Sequence, residues 1–135
     1  MSRSLPALAR FLPALGVMTM IFLLSHQPAD NLPSLFPHFD KIAHFFIYGL
    51  LAAALVGAVR PDLRQRRPWP VVGAIVLWCL AYGFSDEFHQ SFIPGRSPSL
   101  ADIVADTLGA VVVSLGWIGV QVQSGRRAVA GDEAD

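Results

Sequence analysis

Four apolar stretches, each near the length that crosses a bilayer, constrain this chain more than anything else in it. Phe11 to Ser25, Ile42 to Val59, Pro68 to Ser85 and Thr107 to Gly125 hold 15, 18, 18 and 19 residues, and only His44 brings in a group that ionises near neutral pH. A helix rises 1.5 Å per residue, so about 20 residues cross the hydrocarbon core of a membrane. The first stretch is short, but Leu5 to Ala9 extend it if Arg10 snorkels to the interface. Val71-Val72 and Val111-Val112-Val113 are β-branched, yet a lone strand in lipid leaves its backbone unpaired, so helix wins there too. The expected fold is all-α: an integral membrane bundle of four transmembrane helices over residues 1–127, followed by a short, charged, frayed tail over 128–135.

Several function classes drop out. Of 135 residues, 53% are hydrophobic and 15% charged, and ten basic residues balance ten acidic ones. No basic stripe is present, so nucleic acid is excluded as a partner and the lipid bilayer is the expected one. The single cysteine, Cys79, lies in an apolar run and reads as a small buried hydrophobe. Arg3 and Arg10 before a short apolar core also fit a secretory signal peptide, but no small-x-small cleavage site follows, and a retained span is expected.

Orientation follows from the positive-inside rule. Arg3, Arg10, Arg60, Arg64, Arg66, Arg67, Arg126 and Arg127 fall on one side of a four-span chain, and only Lys41 and Arg96 on the other. Both termini are therefore expected in the cytoplasm. Of the two exterior connections, His26 to Phe39 carries Pro28, Pro33 and Pro37 and should be turn-rich. The other, Ser91 to Ala101, carries Pro94-Gly95, a turn signal that would aim Arg96 back at the helices. Ser99 is placed to cap the last helix, with Asp102 near its positive end.

The exterior ends of the spans hold the chemistry. Asp40, His44 and Tyr48 recur every four residues, with Lys41 three before His44, so all four share one helical stripe. Asp86, Glu87 and Gln90 share another, and Ser99, Asp102, Asp106 and Gly109 a third. Gly49 and Gly109 would let helices approach closely beside it. A carboxylate at a helix centre in a membrane costs roughly 2.5–3.5 kcal/mol, so intramembrane acids are functional-site hypotheses by default. Polar residues can also simply fasten helices, and that bland role fits His26, His38, Asp30 and His89 better. For the larger cluster it fits poorly, because fastening does not require so many carboxylates facing one another. Asp30, Asp40, Asp86, Glu87, Asp102 and Asp106 face only Lys41 and Arg96 as fixed cations, a surplus of four negative charges with neutral histidines. Either carboxylates hold protons, or histidines carry charge, or a divalent cation completes the site. Oxygen-rich ligands with an imidazole suit Mg²⁺, Mn²⁺, Ca²⁺ or Zn²⁺, although no His-x-x-x-His pair or EF-hand loop is present.

The motifs Ser25-His26-Gln27-Pro28, Asp40-Lys41-Ile42-Ala43-His44-Phe45-Phe46-Ile47-Tyr48, Asp86-Glu87-Phe88-His89-Gln90, Pro94-Gly95-Arg96, and Asp102 with Asp106 and Gly109 resemble those of the VanZ-like family. That family takes its name from teicoplanin resistance. The resemblance runs from Ser25 to Gly109 and implies a small multi-pass protein of the bacterial inner membrane, with its motif residues facing outward and a link to antibiotic resistance. The chain departs from the pattern at Asp106, where asparagine is common, and at His26, where a small polar residue is common.

The residues together point to a cell-envelope protein that binds or modifies an amphiphile, an envelope lipid or a lipoglycopeptide-like ligand. Arg96 and Lys41 would hold an anionic head group, and His44 with Asp86 or Glu87 would supply acid/base chemistry. Tyr48, Gln90, Asp102 and Asp106 complete the expected binding set. The alternatives are a proton- or ion-coupled permeation protein relaying through Asp106, His44 and Glu87, a metal-dependent membrane enzyme, and a purely structural subunit.

Overall fold

The structure is a computed structural model that describes residues 7–32 and 35–132, with side chains for all of these except 7, 122 and 125–132. Arg3, Leu5 and Pro33, invoked above, lie outside the described residues, as do the side chains of Arg126 and Arg127. A 3-10 turn, Ala7–Phe11, leads into α1, Leu12–Ser25. Then come α2, Phe39–Ala58; α3, Pro61–Arg66; α4, Pro68–Gln90; and α5, Leu100–Asp132. The expected all-α bundle is what the chain forms. Leu8–Ser25, α2, α4 and Leu100–Gln121 are 18, 20, 23 and 22 residues long and apolar enough to cross a membrane.

Prolines set several of the helix starts. Pro13, Pro61 and Pro68 stand in the first turns of α1, α3 and α4, where a missing N–H costs nothing and the fixed φ favours the helix. α2 starts differently: His38 precedes it with φ 65°, in the left-handed region that histidine visits more readily than most residues.

The seam between α2 and α5 organises the bundle. A Cβ on Gly109 would collide with the backbone carbonyl of Phe45 and stand 3.1 Å from the amide nitrogen of Gly49, so only glycine fits. The close approach expected at Gly49 and Gly109 is thus present. Around it the core gathers Tyr48, Leu51, Ala52 and Leu55 from α2, Ile75 and Cys79 from α4, Ala110 from α5, and Ala14 and Ile21 from α1. The outward faces are equally apolar: Leu15, Phe22, Leu50, Leu77, Trp78 and Val112 are all exposed. In water so large an apolar surface would drive association; in lipid it is the solvated surface.

The arginine-rich stretch Arg60 to Arg67 holds a short helix, α3, that Pro61 initiates. One turn on, Arg64 Nη1 donates to the Val56 carbonyl at 3.0 Å, satisfying an acceptor in the last turn of α2. Past Arg127 the backbone of α5 continues as helix to Asp132, and residues 133–135 lie outside the described residues.

Candidate functional site

The C-terminal ends of α1 and α4 and the N-terminal ends of α2 and α5 meet at one end of the bundle. The stripes on α2, α4 and α5 converge there, and α1 joins as a fourth contributor that the spacing does not reveal. α4 remains helical through Gln90, so Asp86 and Gln90 lie one turn apart. Gln90 Nε2 donates to Asp86 Oδ2 at 3.2 Å and to Ser25 Oγ of α1 at 3.3 Å.

Deepest lies Asp106, which is 0% exposed. Its Oδ1 accepts from His44 Nδ1 at 2.8 Å, and its Oδ2 faces Gly83 of α4, where a Cβ would come within 2.8 Å. Oδ2 has no hydrogen-bond partner among the described residues. With Asp106 ionised the carboxylate can only accept, which puts the imidazole proton on Nδ1, and Nε2 has no hydrogen-bond partner among the described residues. Tyr48 stacks on His44 with 6.2 Å between ring centroids and is itself wholly buried, its hydroxyl unpartnered among the described residues.

Glu87 turns toward α5. Its Oε2 accepts the backbone N–H of Ser99 at 2.6 Å, and the Ser99 carbonyl accepts from Asp102 and Ile103 at the start of that helix. Ser99 therefore holds the cap position, and a carboxylate from another helix satisfies its donor. Glu87 Oε1 is buried with no partner among the described residues. One ligand atom from each of His44, Asp86 and Glu87 lies within 4.8 Å of the others.

The two cations are used differently. Lys41 donates to Asp40 at 2.9 Å and to Asp102 at 3.0 Å, so its charge is already spent on two carboxylates. Arg96 follows the turn Ile93–Arg96, closed by a 3.1 Å backbone bond with Gly95 at φ 75°, as the Pro94-Gly95 signal predicts. Its Nη2 reaches the Leu24 carbonyl of α1 at 3.3 Å, while its Nε is buried and unpartnered among the described residues.

These groups border a cleft of ≈ 580 Å³ between α1, α2 and the two connections. His44, Tyr48, Asp86, Gln90, Arg96 and Asp102 reach it, and the rest of its wall is largely apolar, from Ile21, Leu24, Leu32, Phe36, Phe39 and Ile47. Lys41, Glu87 and Asp106 stand behind that lining. Histidine pairing was not foreseen: His26 Nδ1 lies 3.2 Å from His89 Nε2, and Phe22 stacks on both rings. His26 sits in a proline-rich connection, so no helical spacing could have linked it to His89.

The family profile described as VanZ/LLP1 matches residues 10–121. A curated protein of fission yeast, Schizosaccharomyces pombe, carried as an uncharacterized protein, is 36% identical over 77 residues. The aligned stretch covers 56% of this chain and 44% of that relative, so the chain spans less than half the relative's length. No solved structure matches.

Proposed function

Because this chain belongs to the VanZ/LLP1 family, we propose that it is a multi-pass membrane protein that binds, and positions for modification, an anionic amphiphile at the outer face of a cell membrane. The observation that carries the reading is the double character of the cleft. Its wall is mostly apolar, as an acyl or prenyl chain requires, and its polar edge presents Arg96 with a buried donor unused. A guanidinium fork matches phosphate or carboxylate, whereas Lys41 is engaged by Asp40 and Asp102 and serves to hold α2 to α5. His44, with Nδ1 fixed by Asp106 and Nε2 free, is the group suited to exchange a proton with the head. The arginine-rich connection and Arg10 support cytoplasmic termini and an outward-facing cleft. A relative in a fission yeast favours an amphiphile common to membranes over one confined to a bacterial wall.

Permeation fits less well. From Tyr48 to Ala58, from Pro68 to Ser85 and from Thr107 to Gln121 no Asp, Glu, Lys, Arg or His continues a relay to the opposite face.

The test uses purified protein in nanodiscs of neutral lipid, titrated with a diacyl phosphate and, separately, with phosphatidylcholine. Saturable binding of the diacyl phosphate alone is expected, weakened about tenfold or more in Arg96→Lys at unchanged membrane abundance. Equal binding of both lipids, or an Arg96→Lys protein that loses abundance while keeping affinity, would refute the reading.

A further inference from the structure

We propose that His44, Asp86 and Glu87 form a site for one divalent transition-metal cation of the zinc or manganese class, at the polar floor of the cleft. One ligand atom of each already lies within 4.8 Å of the others, and the three come from facing ends of α2 and α4. Glu87 is 3% exposed, and its Oε1 is unpartnered among the described residues while Ser99 N–H fixes Oε2 at 2.6 Å. Leaving a buried carboxylate oxygen unsatisfied is unfavourable, and a cation is the ligand that removes the penalty.

The surroundings are those of a prepared ligand set. Metal-binding histidines usually give their second ring nitrogen to a carboxylate, which fixes the tautomer and turns the free lone pair toward the ion. Asp106 does this to His44 at 2.8 Å and is a positioning residue here. Gln90 holds one oxygen of Asp86 in the same way, at 3.2 Å.

Charge selects valence. Lys41 is shared by Asp40 and Asp102, and Asp106 faces His44, which leaves Asp86 and Glu87 as two carboxylates with no cation in contact among the described residues. A dication cancels both. One imidazole with two carboxylates is too small and too nitrogen-rich a set for Ca²⁺, which takes six to eight oxygens, but suits Zn²⁺ or Mn²⁺ with a position left open. Because His44 and Asp86 line the cleft, the open position faces it. This site does not depend on the amphiphile: with the cation bound His44 Nε2 is its ligand, so proton exchange by that nitrogen belongs to the cation-free protein, and the cation adds a means by which an anionic head could rest among carboxylates.

The experiment takes full-length protein in detergent, stripped with chelator and titrated with Mn²⁺ alone, with electron paramagnetic resonance reading free and bound ion and nitrogen modulation. One saturable equivalent per chain is expected. Its nitrogen modulation should vanish in His44→Gln and persist in His89→Gln, which separates the site from the surface histidine pair. Glu87→Gln keeps an acceptor for Ser99 and should weaken binding at least tenfold, while exposed Asp62→Asn leaves it unchanged. Absence of a saturable equivalent in the parent protein overturns the proposal, as does binding that persists in both His44→Gln and Glu87→Gln. If Glu87→Gln fails to fold, as a thermal melt would show, the His44 and His89 comparison decides alone. Cation binding without diacyl phosphate binding would retain this site and remove only the amphiphile.

Discussion

Replacing Gly109 by alanine tests the seam that sets the geometry of the whole site. The new Cβ would meet the Phe45 carbonyl and the Gly49 amide nitrogen, both backbone atoms that cannot rotate away as a side-chain tip would. Relief requires α5 to retreat from α2 by on the order of 1 Å, and a gap of 0.5–1 Å already forfeits roughly a quarter to a half of each dispersion contact along the seam. Overpacking a well-filled interior typically costs 1–3 kcal/mol, and with backbone as the obstacle the upper end applies, about 3 kcal/mol or roughly a hundredfold in the folded-to-unfolded ratio. The assay is detergent-titrated or thermal unfolding of the purified protein. Gly57→Ala serves as control, because nothing among the described residues lies within 4 Å of a Cβ at that position. It should be neutral or slightly stabilising, since alanine is the better helix former. Gly109 lies one turn from Asp106 and Phe45 adjoins His44, so the same retreat should also weaken Mn²⁺ binding. If Gly109→Ala unfolds within about 0.5 kcal/mol of Gly57→Ala, a spread usual for neutral surface changes, the seam does not set the fold and the reasoning fails.

Asp106→Ala should destabilise by about 1–3 kcal/mol by leaving His44 Nδ1 buried without an acceptor, whereas Asp106→Asn keeps an acceptor and should cost much less; unfolding of the two side by side checks this. Glu87→Ala removes the acceptor for Ser99 N–H and should cost roughly 1–2 kcal/mol, as loss of a helix cap does, with hydrogen exchange rising first at the start of α5. Tyr82→Phe deletes the 2.8 Å bond to the Met18 carbonyl. The expected loss is about 0.6 kcal/mol, typical of interhelical bonds in membranes, with no change in ligand or Mn²⁺ affinity.

Much of this arrangement is written in spacing. The apolar runs between charges gave the four spans, and the four-residue repeat from Asp40 to Tyr48 placed Lys41 and His44 on the face that meets Asp102 and Asp106. Pro94-Gly95 specified a turn whose glycine has positive φ, and Arg96 points back to α1 as that turn requires. Pairing within a stripe was less legible, because helical spacing fixes a face but not the partner across the gap. Glu87 shares a face with Asp86 and Gln90, yet it leaves them for Ser99 N–H. The part of α1 was hidden for a different reason: Leu24 and Met18 contribute backbone carbonyls, which every residue possesses and no side-chain pattern announces. The same holds for Arg64, whose acceptor is the carbonyl of Val56.

That use of main-chain acceptors shapes how α1 can vary. Tyr82 and Arg96 grip it by the carbonyls of Met18 and Leu24, and Gln90 adds a bond to Ser25 Oγ. Beyond Ser25, a small residue at Ala14 and a fitting apolar side chain at Ile21, the polar grip asks only that the segment be helical and in register. The side chains on its outer face, Leu12 and Leu23 among them, are thereby released from the site and free to follow the thickness and composition of the surrounding membrane. One wall of the cleft can thus be retuned to a new bilayer without disturbing the groups that face the ligand.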